Sequence, residues 1–247
     1  MAPGSVSLGT GKQQPGRPHS KIVEARDCVP RRIITMQANR RQILFTSFAI
    51  GLAAAAPWAR AADEAPDAMI GRLSNEVLDI VRADKAMREG DIHHLMSVVD
   101  AKIMPDVNFT RMTASATGPG WRQATPEQRQ RLQAEFKTLL VRTYAGALKQ
   151  VSDQTVSVLP LRALPGDTEI VVKTLVKGRG DPVQLDYRME KTPGQGSGWK
   201  IYDLNVLGVW LVDNYRPQFA QQINAGGIDK LIESLAGRNQ ANAGGKN

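Results

Sequence analysis

The chain has 247 residues, a formal net charge of +8 and one cysteine. The charge is uneven: residues 1–61 hold nine of the 32 Lys and Arg but only two of the 24 Asp and Glu, leaving 23 basic and 22 acidic side chains in residues 62–247. A nearly neutral domain gives no support for a nucleic-acid surface, which needs clustered Lys and Arg on the folded part. Cys28 lies in the basic segment, so the remainder excludes a disulfide framework, a thiolate metal site and a Cys nucleophile together.

Residues 36–61 read as a signal peptide. Met36 precedes Arg40-Arg41, an apolar run from Ile43 to Ala56, and Ala59-Arg60-Ala61 as an A-x-A cleavage site. The run is shorter than the ~20 residues a spanning helix needs, so cleavage after Ala61 is expected rather than anchoring. Asn39 to Leu44 also has a twin-arginine look, and both that route and general secretion stay open. Residues 1–35 are polar and basic and precede a complete signal sequence; they are expected to be an over-extended start or an unstructured extension. The remaining 186 residues suffice for one domain with a sizeable core.

The exported part opens with an acidic leader ending at Pro66. Ile70, Leu73, Val77, Ile80 and Val81 predict a first helix over Asp67–Met87. Asp91 is an N-cap for a second helix with Ile92, Leu95, Val99 and Ile103 on one side, stopped at Pro105. Residues 107–117 form a short helix or turn. Thr125-Pro126-Glu127-Gln128 supplies a capping box with Pro at the first helical position. The stripe that follows (Leu132, Phe136, Leu139, Leu140, Thr143, Tyr144, Ala147, Leu148, Val151) is broad enough to imply burial against a sheet.

From residue 154 the period becomes two. Val156 and Val158 mark one strand, Ile170 to Val176 a second, and Leu185, Tyr187 and Met189 alternate with charged neighbours in a third. Residues 178–182 are a hairpin connection, and Trp199 to Val206 is a fourth strand. Four strands with short turns predict an antiparallel meander. Two helices follow near 209–224 and 228–236, with Pro217 expected to kink or restart the first. Residues 238–247 are Asn/Gly/Ala-rich and expected to be disordered. The fold class is α+β: helices packed on one face of a four-stranded antiparallel sheet, in one domain over 62–237.

Catalytic signals are weak. His93 and His94 are adjacent, point about 100° apart on a helix, and cannot chelate together. There is no HExxH, GxSxG, phosphate loop or GxGxxG. Asp186 and Asp203 are the acids available to an alternative reading, a small α+β enzyme acting on an apolar substrate.

One resemblance spans most of the exported part. Trp199-Lys200-Ile201-Tyr202-Asp203 leads through Gly208 into Val209-Trp210-Leu211-Val212-Asp213-Asn214-Tyr215-Arg216, followed by Phe219. Together with residues 106–112 and Gly120 to Gln128, this resembles the MlaC-type periplasmic phospholipid carriers, also called the toluene-tolerance auxiliary family. Asn108 stands where Asp is usual, Trp210 where Ser is common, and Pro217 falls within the last family helix. The resemblance implies a non-enzymatic protein that encloses an apolar cavity between sheet and helices, needs no cofactor or metal, and acts as a monomer. It implies phospholipid as ligand, and an outer-membrane lipoprotein complex and an inner-membrane ABC transporter complex as partners. The lipid-lining set implied is Leu139, Tyr144, Val158, Val172, Val176, Leu185, Tyr187, Met189, Leu204, Tyr215 and Phe219. Arg216 has two readings, a contact to the lipid phosphate or a salt bridge to Asp203 or Asp213.

Overall fold

The computed structural model describes residues 63–244. The expected signal peptide, the segment before it and Cys28 lie outside the described residues. Helix α1 spans Pro66–Ala83, with Pro at its start where a backbone donor is dispensable. It does not run on to Met87. Asp84 leaves the helical conformation and its carboxylate accepts from Met87 N at 3.1 Å, capping a separate α2, Lys85–Glu89. Asp91 caps α3, Ile92–Val98, by accepting from the His93 and His94 amides. A π-helical turn (Val99–Ile103) and a 3-10 turn (Met104–Asp106) follow, then α4, Phe109–Thr117, and α5, Gly120–Gln123.

Helix α6, Pro126–Leu148, starts on a complete capping box between Thr125 and Gln128. Five strands follow: β1 Thr155–Val158, β2 Glu169–Lys177, β3 Val183–Lys191, β4 Trp199–Val206 and β5 Val209–Trp210. They pair antiparallel in the order β1-β2-β3-β4-β5. The sheet is therefore the expected meander with one strand more than expected. The two residues of β5 belong to an apolar run that, in sequence, reads as the start of the last helix.

Helix α7, Leu211–Gly244, is broken at Gly226–Gly227, where Gly227 has φ +74°. No break occurs at Pro217. Arg216 and Pro217 are exposed, and the helix absorbs one missing backbone bond there. The expectation of disorder from residue 238 is overturned as far as Gly244. Ile228, Leu231, Ile232, Leu235 and Asn239 keep a helical spacing of buried positions. The Asn239 side-chain amide donates to Glu135 O at 3.0 Å and to Glu135 Oε2 at 2.7 Å, which ties the last turns to α6.

The core has three parts. Residues of α4, α6 and α7 pack around Phe109, Phe136, Tyr215 and Phe219. Met69, Ile70 and Leu73 of α1 pack on Ile170, Val172, Met189 and Ile201 of the sheet. Val81, Met87, Leu95 and Ala145 join α1, α2, α3 and α6. Helix α6 was expected to bury its stripe against the sheet. Among the described residues its main packing is on α7, α3 and α4, and none of comparable extent is made to a strand.

Candidate functional site

One face of the sheet is apolar from end to end. Ile170 pairs with Met189, Val172 with Tyr187, Thr174 with Leu185 and Val176 with Val183. On β4, Ile201, Leu204 and Val206 oppose Met189, Tyr187 and Leu185; on β1, Val156 and Val158 oppose Val176 and Thr174. Opposed residues project to the same side, so these side chains share one surface. A bulge between Arg188 and Met189 shifts the β3–β4 register and leaves Tyr202 as the extra residue of β4.

The two ends of that face differ. At the Ile170 end, Val172 and Met189 are fully buried, Ile201 and Trp199 nearly so, all beneath α1. At the other end Val156, Val176, Val183, Leu185, Leu204 and Val206 remain half-buried although they point inward. Half-buried Leu140 and Tyr144 of α6 and Val77 of α1 border the same region. Helix α6 shows the same change along its length. The stripe that buries Leu132 and Phe136 in its first half leaves Thr143 and Ala147 exposed in its second. Inward apolar side chains with accessible surface line a recess rather than fill a core.

Tyr187 lies where the two ends meet. Burial is the largest cause pushing its phenol above the ordinary tyrosine range, with hydroxyl contacts to Ser74 of α1 and Thr174 of β2 acting in the opposite sense. The ring is therefore enclosed by protein, yet it keeps accessible surface. Burial likewise raises the phenol of Tyr144.

Most of the sheet's charge lies on the opposite face. Asp203 Oδ1 accepts from Leu204 N at 2.9 Å and Val212 N at 3.1 Å, and Oδ2 accepts from Arg188 at 2.8 Å. Desolvation raises the Asp203 carboxyl against the opposing pull of those donors. Arg188 also lies 3.4 Å from Asp213 and stacks 3.9 Å over the Trp210 ring. Asp186 is buried beside Asn205 on the same side and accepts from Gln184 at 2.7 Å. Arg111 bridges Glu169 and Glu190 and stacks 3.6 Å over Tyr202. Asp186 and Asp203 thus point away from the apolar recess, so the pocket-acid arrangement of the enzyme reading does not form. His94 Nε2 lies 2.5 Å from Asp84 Oδ2, and His93 is exposed. Among the described residues no group of His, Cys, Asp or Glu is placed to hold a metal ion, and no helix is long and apolar enough to cross a membrane.

The structure brings Tyr144, Val158, Val176, Leu185, Tyr187 and Leu204 together around the recess. It places Val172 and Met189 in the closed floor beneath α1. Leu139, Tyr215 and Phe219 sit in the closed helical core, where the Phe136 ring lies 5.1 Å from both Tyr215 and Phe219. Arg216 does not make the expected salt bridge: its Nε donates to Ser115 O at 3.1 Å, and Arg188 makes the pairs to Asp203 and Asp213. Ser74, Val77, Leu140 and Val206 are half-buried as well and are not among the site residues expected from sequence. The signal for Ser74 is its helical spacing from Ile70 and Val77, which puts a hydroxyl on the apolar face of α1.

Residues 71–237 match the family described as MlaC protein. The chain belongs to the MlaC family. Among its relatives, the toluene tolerance protein ttg2D of Pseudomonas putida is 28% identical over 189 residues, covering 75% of this chain and 86% of that protein. The intermembrane phospholipid transport system binding protein MlaC of Haemophilus influenzae is 24% identical over 177 residues, covering 70% of this chain and 82% of that protein. A solved phospholipid-binding protein from Ralstonia solanacearum, in complex with a phospholipid, is 44% identical with a TM-score of 0.68, covering 72% of this chain and 98% of that one. Membership of the family and likeness to that structure indicate a binding or transport protein.

Proposed function

We propose that this chain is a periplasmic, non-enzymatic phospholipid carrier that moves lipid between an outer-membrane lipoprotein complex and an inner-membrane ABC transporter complex, and so maintains outer-membrane lipid asymmetry. The observation that carries the reading is the inward apolar end of the sheet, where Val176, Leu185, Leu204 and Val206 share one face and keep accessible surface. In a family whose solved relative holds phospholipid, such a recess suits acyl chains. Each methylene it takes from water contributes about 0.8 kcal/mol. A soluble wall of Val, Leu and Tyr can therefore stand in for the bilayer interior, while the charged groups on the other face keep the protein in water. Export through residues 36–61, with cleavage after Ala61, belongs to the same proposal and supplies the compartment.

The test is organic extraction of the purified exported protein, followed by mass spectrometry and by sequencing of its N-terminus. Co-purified phospholipid in near-stoichiometric amount, on a chain beginning at Ala62, is the expected result. A chain that folds and carries no lipid, even after incubation with phospholipid vesicles, would remove the carrier reading.

A further inference from the structure

The apolar face of the sheet changes character at one residue. Beyond Tyr187 toward Met189, the side chains are sealed beneath Met69, Ile70 and Leu73 of α1. Before it, Leu185, Val176, Leu204 and Val206 keep accessible surface, although Thr174 opposite Leu185 is buried. The register places Tyr187 between Val172 on β2 and Leu204 on β4, so the ring spans the middle of the face. Thr174, on the neighbouring strand, is buried and donates its hydroxyl to Leu185 O at 2.8 Å. Ser74 follows Leu73, the last sealed residue of α1 on this face, and precedes half-buried Val77 by one turn. One boundary lies on the sheet at Tyr187, and the other on α1 between Leu73 and Val77.

We infer that the Tyr187 ring, which packs against the sealed cluster, is the depth stop of the lipid recess and sets the longest acyl chain it accepts. This rests on the carrier reading above and deepens it by assigning chain-length selection. A chain entering from the Val176–Val206 end passes Leu185 and Leu204 and reaches the ring; beyond the ring there is only close-packed core, which resists even one added methylene. Chains shorter than the limit leave the ring in place; longer ones must leave methylenes outside.

The prediction is read by competition. The full chain, exported and purified, is incubated with vesicles holding equal parts of dipalmitoleoyl- and dioleoyl-phosphatidylglycerol, whose chains differ by two methylenes, and the bound lipid is quantified by mass spectrometry. Each methylene that finds apolar space is worth about fourfold in affinity. Relative to the native protein, Tyr187→Ala is therefore expected to raise the bound ratio of long to short lipid by at least about tenfold. Tyr187→Phe keeps the ring and is expected to keep the native ratio. Tyr187→Leu, which preserves more of the packing, serves if the alanine variant does not fold, and should move the ratio in the same direction by less.

A native ratio in folded Tyr187→Ala, or in Tyr187→Leu where that stands in for it, would overturn the depth stop while leaving the carrier intact. So would a Phe variant that shifts as far as the Ala variant, because the ring would then not be the barrier. A native protein that takes up neither lipid would overturn both.

Discussion

The two ends of the sheet's inward face share composition and alternation but not packing. Ile170, Val172, Met189 and Ile201 at one end are sealed by α1; Val176, Val183, Leu185 and Val206 at the other end are half-buried. The turns beyond each end carry exposed apolar side chains, Leu164 at 75% exposure past the sealed end and Leu207 at 65% past the open one. What separates the ends is therefore not the strands but what lies over them. Helix α1 reaches the sealed end with Met69, Ile70 and Leu73, whereas α6 turns its stripe to the other helices. A recess results from withholding one layer of packing, and the same valines and leucines act as core or as lining accordingly.

Opposite substitutions at the two ends test that comparison with the largest expected effects. Met189→Ala leaves a cavity in close-packed surroundings and should cost about 3 kcal/mol of unfolding free energy, with lipid carried per folded molecule unchanged. Leu185→Asp places a carboxylate among lining residues that keep accessible surface. It should lower stability by about 1 kcal/mol and abolish co-purified phospholipid. Urea titration followed by circular dichroism, with lipid extraction in parallel, measures both. The open end would be core after all if Leu185→Asp unfolds the domain.

How much of this could be read from the sequence follows from the same comparison. The capping box at Thr125, the Asp91 cap and the period-two strands are local signals, and they locate α6, α3 and β2–β4 closely. Alternation identified the face shared by Val172, Val176, Leu185, Tyr187 and Met189. It could not tell that Val172 and Met189 are sealed while Val176 and Leu185 are not, because that depends on where a distant helix stops covering the sheet. Likewise Tyr215 and Phe219 read correctly as inward, but inward there means the α4–α6–α7 core. Pro217 and the 238–244 segment were misjudged because local propensity yielded to tertiary packing by Phe219, Leu235 and Asn239.

The opposite face supplies a contrast in charge. Asp203 is fully buried with three donors, and desolvation nevertheless raises its pKa. A raised pKa means the native state binds a proton before the unfolded chain does. Its contribution to stability is thus present below the unfolded value near 3.9 and is lost as pH rises through the folded value. Asp203→Asn keeps the side-chain oxygen that serves Leu204 N and Val212 N and removes the titration. The stability of the native protein relative to this variant should therefore increase as pH is lowered from 7 toward 4, and lipid content should not change. A difference that is flat with pH would mean the donors of Arg188, Leu204 and Val212 outweigh burial.

The smallest expected effect is at the rim of the open end. Leu207 and Gly208 link β4 to β5 as a two-residue loop with φ of +53° and +89°, a type I′ arrangement that favours Asn-Gly. A leucine in the left-handed region is disfavoured by roughly 1–2 kcal/mol, and its side chain is largely exposed, so little packing offsets that cost. The loop is otherwise well held: Leu207 N donates to Gln184 O at 3.1 Å, and Gly208 N donates to Asn205 Oδ1 at 2.8 Å. Leu207→Asn retains both bonds and relieves the strain. It should stabilise the domain by about 1 kcal/mol, a rise in melting temperature of about 2–4 °C. A fall in melting temperature would show that Leu207 makes contacts worth more than the strain, and that the open end is more tightly covered than its accessible valines and leucines indicate.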